Sequence, residues 1–403
     1  MDIYVARQPI FKEDKKIFGY ELLFRDGMDN FFPDIDGDTA TSKVLANSFF
    51  TIGIEKITGS KKAFINFTQE LLKKQVPLMF PKERMVIEIL EGVEPEEDVV
   101  KSCEVIKQSG YTIALDDFLY KPELAPLVSL ANIIKIDFMR TPQEKITEYV
   151  NILAEYNLAL LAEKVETYEE FSWAQEMGFT YFQGYFFSKP EIIKGKEISS
   201  PKINLLEIMA EANKEDFDFN DLEKIIARDV ALSYKLMRYI NSAYFKRVHE
   251  ISSINQAMVL LGEQGIRQFV SLIAMSKLAD QKPDELVRAS IIRAKFCEQI
   301  GIMNETKVNP SELFTLGLFS LIDAILDESM ASLMGKLPLS EGIKMALVSD
   351  AGELREYLNL AILYEAGDWA GVSKAANSLC LDEVLLPKHY MESIGWADSL
   401  SNI

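Results

Sequence analysis

Apolar and polar positions divide the chain into two halves with different periods. In the first half, short apolar runs alternate with longer stretches of helical spacing. Tyr4–Ile10 and Ile17–Phe24 read as strands on either side of the charged turn Lys12–Lys16, which predicts a hairpin at the entrance of the fold. Helical spacing covers Thr39–Gly53, Glu96–Gln108, Pro142–Tyr156 and Tyr168–Met177. Between these lie the strand-like segments Ala63–Phe67, Met85–Glu91, Thr112–Leu115, Ile133–Asp137, Leu158–Ala162 and Tyr181–Gln183. Such alternation implies a parallel sheet covered by helices, and seven or eight units predict a closed α/β barrel of the TIM type. Past Phe187 the strand pattern stops, and Ser199-Ser200-Pro201 marks a break. The second half then reads as an all-helical unit over Pro201–Asn213, Asp221–Ala227, Ser233–Asn241, Ile254–Leu261, Glu263–Met275, Pro283–Gly301, Ser311–Asp327, Leu339–Val348, Glu353–Ala366 and Trp369–Leu379. The predicted domains are therefore 1–198, a barrel, and 199–403, all helical.

Chemistry enters where polar residues interrupt the apolar strands. Glu21, Asn66, Glu88, Asp116, Asp117, Lys135, Glu163, Glu166 and Gln183 all fall within or just after predicted strands. Parallel barrel strands point the same way, so their C-terminal ends meet at one mouth. Oxygen donors gathered there suit Mg²⁺ or Mn²⁺, and so many carboxylates could hold two metals for in-line displacement at phosphorus. Lys135 is placed either to orient an attacking water or to screen the acids. For any one of these residues, the plain alternative is a strand-end group paired with a lysine or arginine. Repeated buried charge is harder to explain that way, because an unpaired buried charge is costly. No G-x-G-x-x-G or P-loop pattern follows a strand, which argues against a nucleotide-binding doubly wound sheet.

These residues carry a resemblance. The first half resembles an EAL domain, a family of cyclic-di-GMP phosphodiesterases with a TIM-like barrel. Glu21-Leu22-Leu23 is similar to the naming motif, and Arg25 stands at the position of a substrate-phosphate arginine. Ile65-Asn66-Phe67, Ile87-Glu88-Ile89-Leu90-Glu91, Asp116-Asp117-Phe118, Lys135, Ala162-Glu163-Lys164-Val165-Glu166-Thr167 and Gln183-Gly184-Tyr185 match further family motifs in order. The resemblance implies metal ligands at Glu21, Asn66, Glu88, Asp116 and Asp117, and catalytic roles for Lys135, Glu163 and Glu166. It further implies substrate contacts at Arg25 and Gln183, and a loop-bracing role for Glu91. Two departures stand out. Leu119-Tyr120-Lys121-Pro122-Glu123 replaces a glycine-rich loop, and Lys164 replaces a glycine. The loop change leaves two readings open: hydrolysis of cyclic-di-GMP to the linear dinucleotide, or an impaired barrel acting as a sensor or protein-interaction scaffold.

Residues 220–275 resemble an HDOD domain, an all-helical relative of the HD phosphohydrolases, and the whole chain resembles the EAL–HDOD two-domain bacterial signalling proteins. HD-type metal sites need histidines and aspartates together. This chain has two histidines, His249 and His389, and neither precedes an aspartate. The helical half is therefore expected to be non-catalytic, coupling the barrel to a protein partner. Asn241 and Ser242 read as helix caps or linkers. The family's dimer contacts make a homodimer an expectation.

Composition narrows the classes. A formal net charge of −19 argues against direct binding to nucleic acid or an anionic membrane. Three widely separated cysteines predict a reducing, cytoplasmic setting. No signal sequence or membrane span is expected.

Overall fold

The structure is a computed structural model, and it describes residues 4–25, 54–189, 230–241, 251, 254–279, 282–304, 308–337 and 339–400. The chain divides into two compact units, Met1–Phe187 with Leu363–Ala370 and Ser188–Ile362 with Gly371–Ile403. The predicted boundary at 198/199 and the predicted helices over Thr39–Gly53, Pro201–Asn213 and Asp221–Ala227 lie outside the described residues.

The first unit is a closed eight-stranded barrel. Its strands are β1 (Tyr4–Lys12), β2 (Ile17–Arg25), β3 (Lys62–Phe67), β4 (Met85–Ile89), β5 (Thr112–Leu115), β6 (Ile133–Asp137), β7 (Ala159–Glu163) and β8 (Tyr181–Gln183). Helices α1 (Ile54–Thr58), α2 (Gln69–Lys73), α3 (Glu97–Gln108), α4 (Ala125–Leu130), α5 (Gln143–Leu153) and α6 (Tyr168–Glu176) lie between them. Strands β2 to β8 run parallel. Strand β1 is antiparallel to both β2 and β8. The antiparallel β1–β2 pair is the hairpin predicted around Lys12–Lys16, so the common direction of the parallel strands begins at β2. A turn of a few residues can only reverse the chain, because a parallel crossover needs a dozen or more. Lys15 adopts a left-handed φ of 59° in that turn. As a result, the start of β1 reaches the mouth to which the other strands bring their C-terminal ends.

The interior is built by the two-residue period of the strands. One layer is apolar: Ile10, Phe64, Val86, Ala114, Ile133 and Leu161 form a buried cluster, with Tyr181 packed against it. Gly19 leaves room for it, since a Cβ there would stand 2.8 Å from the Lys62 carbonyl and 3.0 Å from the Phe64 ring. Two residues further toward the mouth, the same strands present Gln8, Asn66, Glu88, Asp116, Lys135, Glu163 and Gln183, with Glu21 two residues past Gly19. The polar mouth is therefore the next rung of a ladder whose lower rung is a dry floor.

Beyond the barrel the chain is all helical among its described residues: α7 (Val230–Ile240), α8 (Ile254–Leu278), α9 (Asp284–Met303), α10 (Pro310–Phe319), α11 (Ile322–Leu326), α12 (Met330–Lys336), α13 (Glu341–Val348), α14 (Glu353–Ala366), α15 (Trp369–Ser378) and α16 (Leu386–Leu400). The segments read as Ile254–Leu261 and Glu263–Met275 form α8, with a break in helical geometry at Gly262, φ 65° and ψ 179°. The single helix predicted over Ser311–Asp327 is two, α10 and α11, and α11 ends where Asp327 turns left-handed. Asn309 caps α10 by accepting from the Ser311 amide, as its position before Pro310 predicts. Helices α12 and α16 escaped the sequence reading, although Ser329 is an N-cap for α12. Leu236, Tyr239, Ile240, Ala257, Met258, Ile266, Phe269 and Val270 form one core between α7 and α8. Asn241 donates to the Met237 and Ile251 carbonyls and accepts from the Ile251 amide, which ties the end of α7 to the start of the segment before α8. That is the linking role predicted for it; Ser242 and His249 lie outside the described residues.

Candidate active site

Four carboxylates converge on one ammonium at the barrel mouth. Lys135, fully buried on β6, has its Nζ 2.6 Å from Glu88, 2.7 Å from Asp116, 2.9 Å from Glu163 and 3.3 Å from Glu21. Gln183 donates from Nε2 to Glu21 at 2.7 Å and to Gln8 at 3.0 Å, and Asn66 donates to Glu21 at 3.4 Å. Gln8 was missed by the sequence reading. Its signal was available: it alternates with the inward-facing Ile10 on β1.

Four acids and one lysine leave an excess of three negative charges if all ionise. Burial disfavours that charge and shifts the group titrations. Burial pushes Glu88 well above the usual carboxylate range; Lys135 opposes this, and repulsion from Glu21 and Asp116 adds to it. Glu163 is pushed up to about 8 by burial, against the pull of Lys135. For Lys135 burial works against the charged form, but the surrounding carboxylates outweigh it and raise the ammonium well above its ordinary value. The lysine is thus firmly charged, and the excess resides on the acids.

Asp116 and Asp117 part company at the end of β5. The Asp116 amide donates to the Ile89 carbonyl, which keeps it in the sheet and aims its carboxylate inward. Asp117 turns left-handed, φ 41°, a conformation aspartate tolerates better than most residues. Its carboxylate meets Arg140 at 2.9 Å and lies 3.9 Å from the Lys164 ammonium. Lys164 is itself left-handed, φ 54°, and its ammonium is paired with the buried Asp137. Gly184 lets the β8 turn close against this segment: at φ 147° an added Cβ would sit 2.1 Å from the Val165 carbonyl oxygen. Glu166 is half-buried, and its amide donates to Glu170, whose carboxylate completes a capping box with Thr167 at the start of α6.

The remaining predicted positions are less central. Glu91 is exposed on the turn after β4 and has no hydrogen bond or ion pair among the described residues. It borders a cavity of about 580 Å³ that is also lined by Asp116, Asp117, Leu119, Lys121 and Glu123. Arg25 ends β2, and its side chain lies outside the described residues. In the loop after Phe118, Pro122–Leu124 form a single tight helical turn, and Leu119 is more than half exposed.

Several oxygens at the mouth fit a hard cation. Asn66 Oδ1, Glu88 Oε2, Glu163 Oε2 and Gln183 Oε1 are buried and have no hydrogen-bond partner among the described residues. Orphaned oxygens beside excess negative charge match the donor chemistry of Mg²⁺ or Mn²⁺. Among the described residues, however, no three His, Cys, Asp or Glu side chains stand in metal-holding geometry, and Lys135 occupies the middle of the cluster. The helical unit offers no such oxygen cluster among its described residues: Asp323, half-buried in α11, accepts from the Ala324 amide, while His389 pairs with Glu392. Among the described residues, no helix is long and apolar enough to cross a membrane.

The EAL domain family matches residues 40–190 and the HDOD domain family residues 199–331. The chain is 38% identical to the cyclic di-GMP phosphodiesterase CdgJ of Vibrio cholerae, over 99% of this chain and 93% of that protein. It is 35% identical to YuxH of Bacillus subtilis, an uncharacterized protein, over 99% of both chains. Among solved structures, a standalone EAL protein of Vibrio cholerae O395 in its c-di-GMP-bound form aligns at 27% identity over 47% of this chain and 92% of its own, with a TM-score of 0.36. The chain belongs to the family of bacterial signalling proteins that join an EAL domain to an HDOD domain.

Proposed function

We propose that the barrel hydrolyses cyclic-di-GMP to the linear dinucleotide in a reaction that depends on Mg²⁺ or Mn²⁺, and that the helical half couples this activity to a protein partner in the cytoplasm. The observation that carries the reading is the buried set of unpartnered oxygens on Asn66, Glu88, Glu163 and Gln183 around the Lys135 cluster. Membership of the family and the 38% likeness to CdgJ, a cyclic di-GMP phosphodiesterase, support it.

Glu21, Asn66, Glu88 and Asp116 would hold the cation, with Asp117 above them. When bound, the cation supplies Lewis acidity at the phosphoryl group and lowers the pKa of water. Gln183 positions Glu21 through its 2.7 Å hydrogen bond, which fixes one carboxylate of the set. Lys135 orients the attacking water and screens the acids from one another. Glu163, with its pKa near 8, exchanges a proton close to neutral pH, as a group assisting water attack must. The dry floor below keeps bulk water from the inner side of the site.

A second reading is favoured by one specific observation. Asp117 is engaged by Arg140, and the loop after it carries Pro122 and exposed Leu119 where glycines would give freedom. In that reading the barrel binds cyclic-di-GMP without turnover. Incubating the full-length protein with cyclic-di-GMP and Mn²⁺ or Mg²⁺ separates the two. Linear product that disappears in Glu21→Ala and Asp116→Ala supports the enzyme. Calorimetric binding without product supports the sensor, and neither binding nor product overturns both.

A further inference from the structure

Two clusters of charge meet at the barrel mouth, and they differ in balance. The inner one, Glu21, Glu88, Asp116 and Glu163 around Lys135, carries the excess negative charge and the orphaned oxygens. The outer one joins two acids to two cations. Arg140 bonds Asp117 at 2.9 Å and reaches Asp137 at 3.7 Å; Lys164 pairs with Asp137 and stands 3.9 Å from Asp117. Asp137 is buried and also accepts from the Met139 and Arg140 amides, so it anchors the outer group. Lys164 holds this place from a left-handed backbone, where glycine would sit without strain.

Resting on the metal-dependent reading above, we propose that Lys164 and Arg140 act as built-in counter-charges at Asp117, so that this mouth takes one divalent cation, among the inner oxygens, rather than two. A cation is drawn where negative charge is uncompensated and oxygens are unpartnered. The inner cluster meets both conditions. The outer cluster is already neutral, and a second cation near Asp117 would face two fixed positive groups. Lys164 and Arg140 are therefore positioning residues that set metal number, and the arrangement predicts one exchangeable cation in the inner cluster and two fixed positive groups at Asp117.

The test counts Mn²⁺ on the full-length protein by calorimetry and by electron paramagnetic resonance, which reports coupling between neighbouring Mn²⁺ ions. The expected result is one tight equivalent with no coupled signal in the wild type. Lys164→Gly combined with Arg140→Ala should gain a second equivalent, tightened at least tenfold, with a coupled signal, while Lys164→Arg keeps one. Lys164→Gly suits the left-handed backbone, and the Arg140 side chain is 69% exposed, so Arg140→Ala alone provides a folded check. Two equivalents of similar affinity in the wild type, or one equivalent in every variant, overturns the inference while hydrolysis stays intact. No Mn²⁺ bound to any protein, with no hydrolysis, overturns the proposed function as well.

Discussion

Replacing Lys135 by methionine removes the only cation, among the described residues, from the centre of four carboxylates, three of them buried, while keeping a side chain of similar length. Each ion pair near 3 Å contributes on the order of 5 kcal/mol of attraction at an effective dielectric of 20. Much of that is offset by desolvation of the lysine and by repulsion among the acids, so the net cost is that of breaking a buried ion pair, about 3–5 kcal/mol. For a unit of this size, each kcal/mol moves the melting temperature by about 2–4 °C, which predicts a loss of about 6–20 °C in EDTA. The uncompensated acids should then bind a divalent cation more tightly than in the wild type. At a Mn²⁺ concentration of 100 times Kd, the recovery is about 2.7 kcal/mol. Thermal unfolding followed by circular dichroism, with EDTA or Mn²⁺, reads both effects. A variant that melts within about 2 °C of the wild type in EDTA, or that Mn²⁺ stabilises no more than the wild type, refutes the argument that Lys135 is held by its charge.

Other expectations are independent of that one. Gly184→Ala should lose more than about 3 kcal/mol of stability, read from urea unfolding, because the new Cβ overlaps the Val165 carbonyl and φ 147° strains any L side chain. Cys103 is buried with its thiol pushed up to about 11 by that burial, and Cys297 is buried too, so Ellman's reagent at pH 8 should titrate only the exposed Cys380 quickly in the native protein and all three cysteines in guanidinium. Burial raises the Asp323 carboxyl, with its own backbone bonds and Arg293 opposing. Its contribution is therefore greatest below the unfolded carboxylate value and falls as pH rises through the folded one. Asp323→Asn should raise the urea midpoint at pH 7 and flatten its pH dependence over that window; an unchanged midpoint refutes this.

Much of the barrel was legible because a strand announces itself twice, through its apolar run and through its period. Thr112–Leu115, Ile133–Asp137 and Tyr181–Gln183 were bounded as they stand in the structure. The candidate positions were legible for a related reason: polar residues inside or just after several parallel strands point to a shared mouth. Glu91 shows the limit of the rule. It was read as part of a strand that stops at Ile89, and past a strand's end side-chain direction is set by the turn. The helical unit was less legible at its joints. Gly262, the step from Phe319 to Ile322 and the short α12 depend on caps and backbone reversals that apolar spacing does not report.

The aspartate doublet shows what a one-dimensional reading leaves open. Two adjacent acids at a strand exit suggest two cation ligands of equal standing. In three dimensions they have opposite circumstances, and the cause is a single backbone angle. Asp116 stays in the sheet and joins a cluster in which four acids share a single ammonium. Asp117 turns left-handed and meets Arg140, a residue 23 positions away. Nothing in the spacing of Asp117, Arg140 and Lys164 along the chain links them; only the closing of adjacent barrel loops does. Identity at a motif position therefore establishes which atoms are available to a metal. Whether they are free to bind one depends on neighbours that arrive from other strands. Under the proposed function, the residue at the family's glycine position, Lys164, alters the electrostatics of the site without altering any of the proposed ligands, and metal number is the property most exposed to that change.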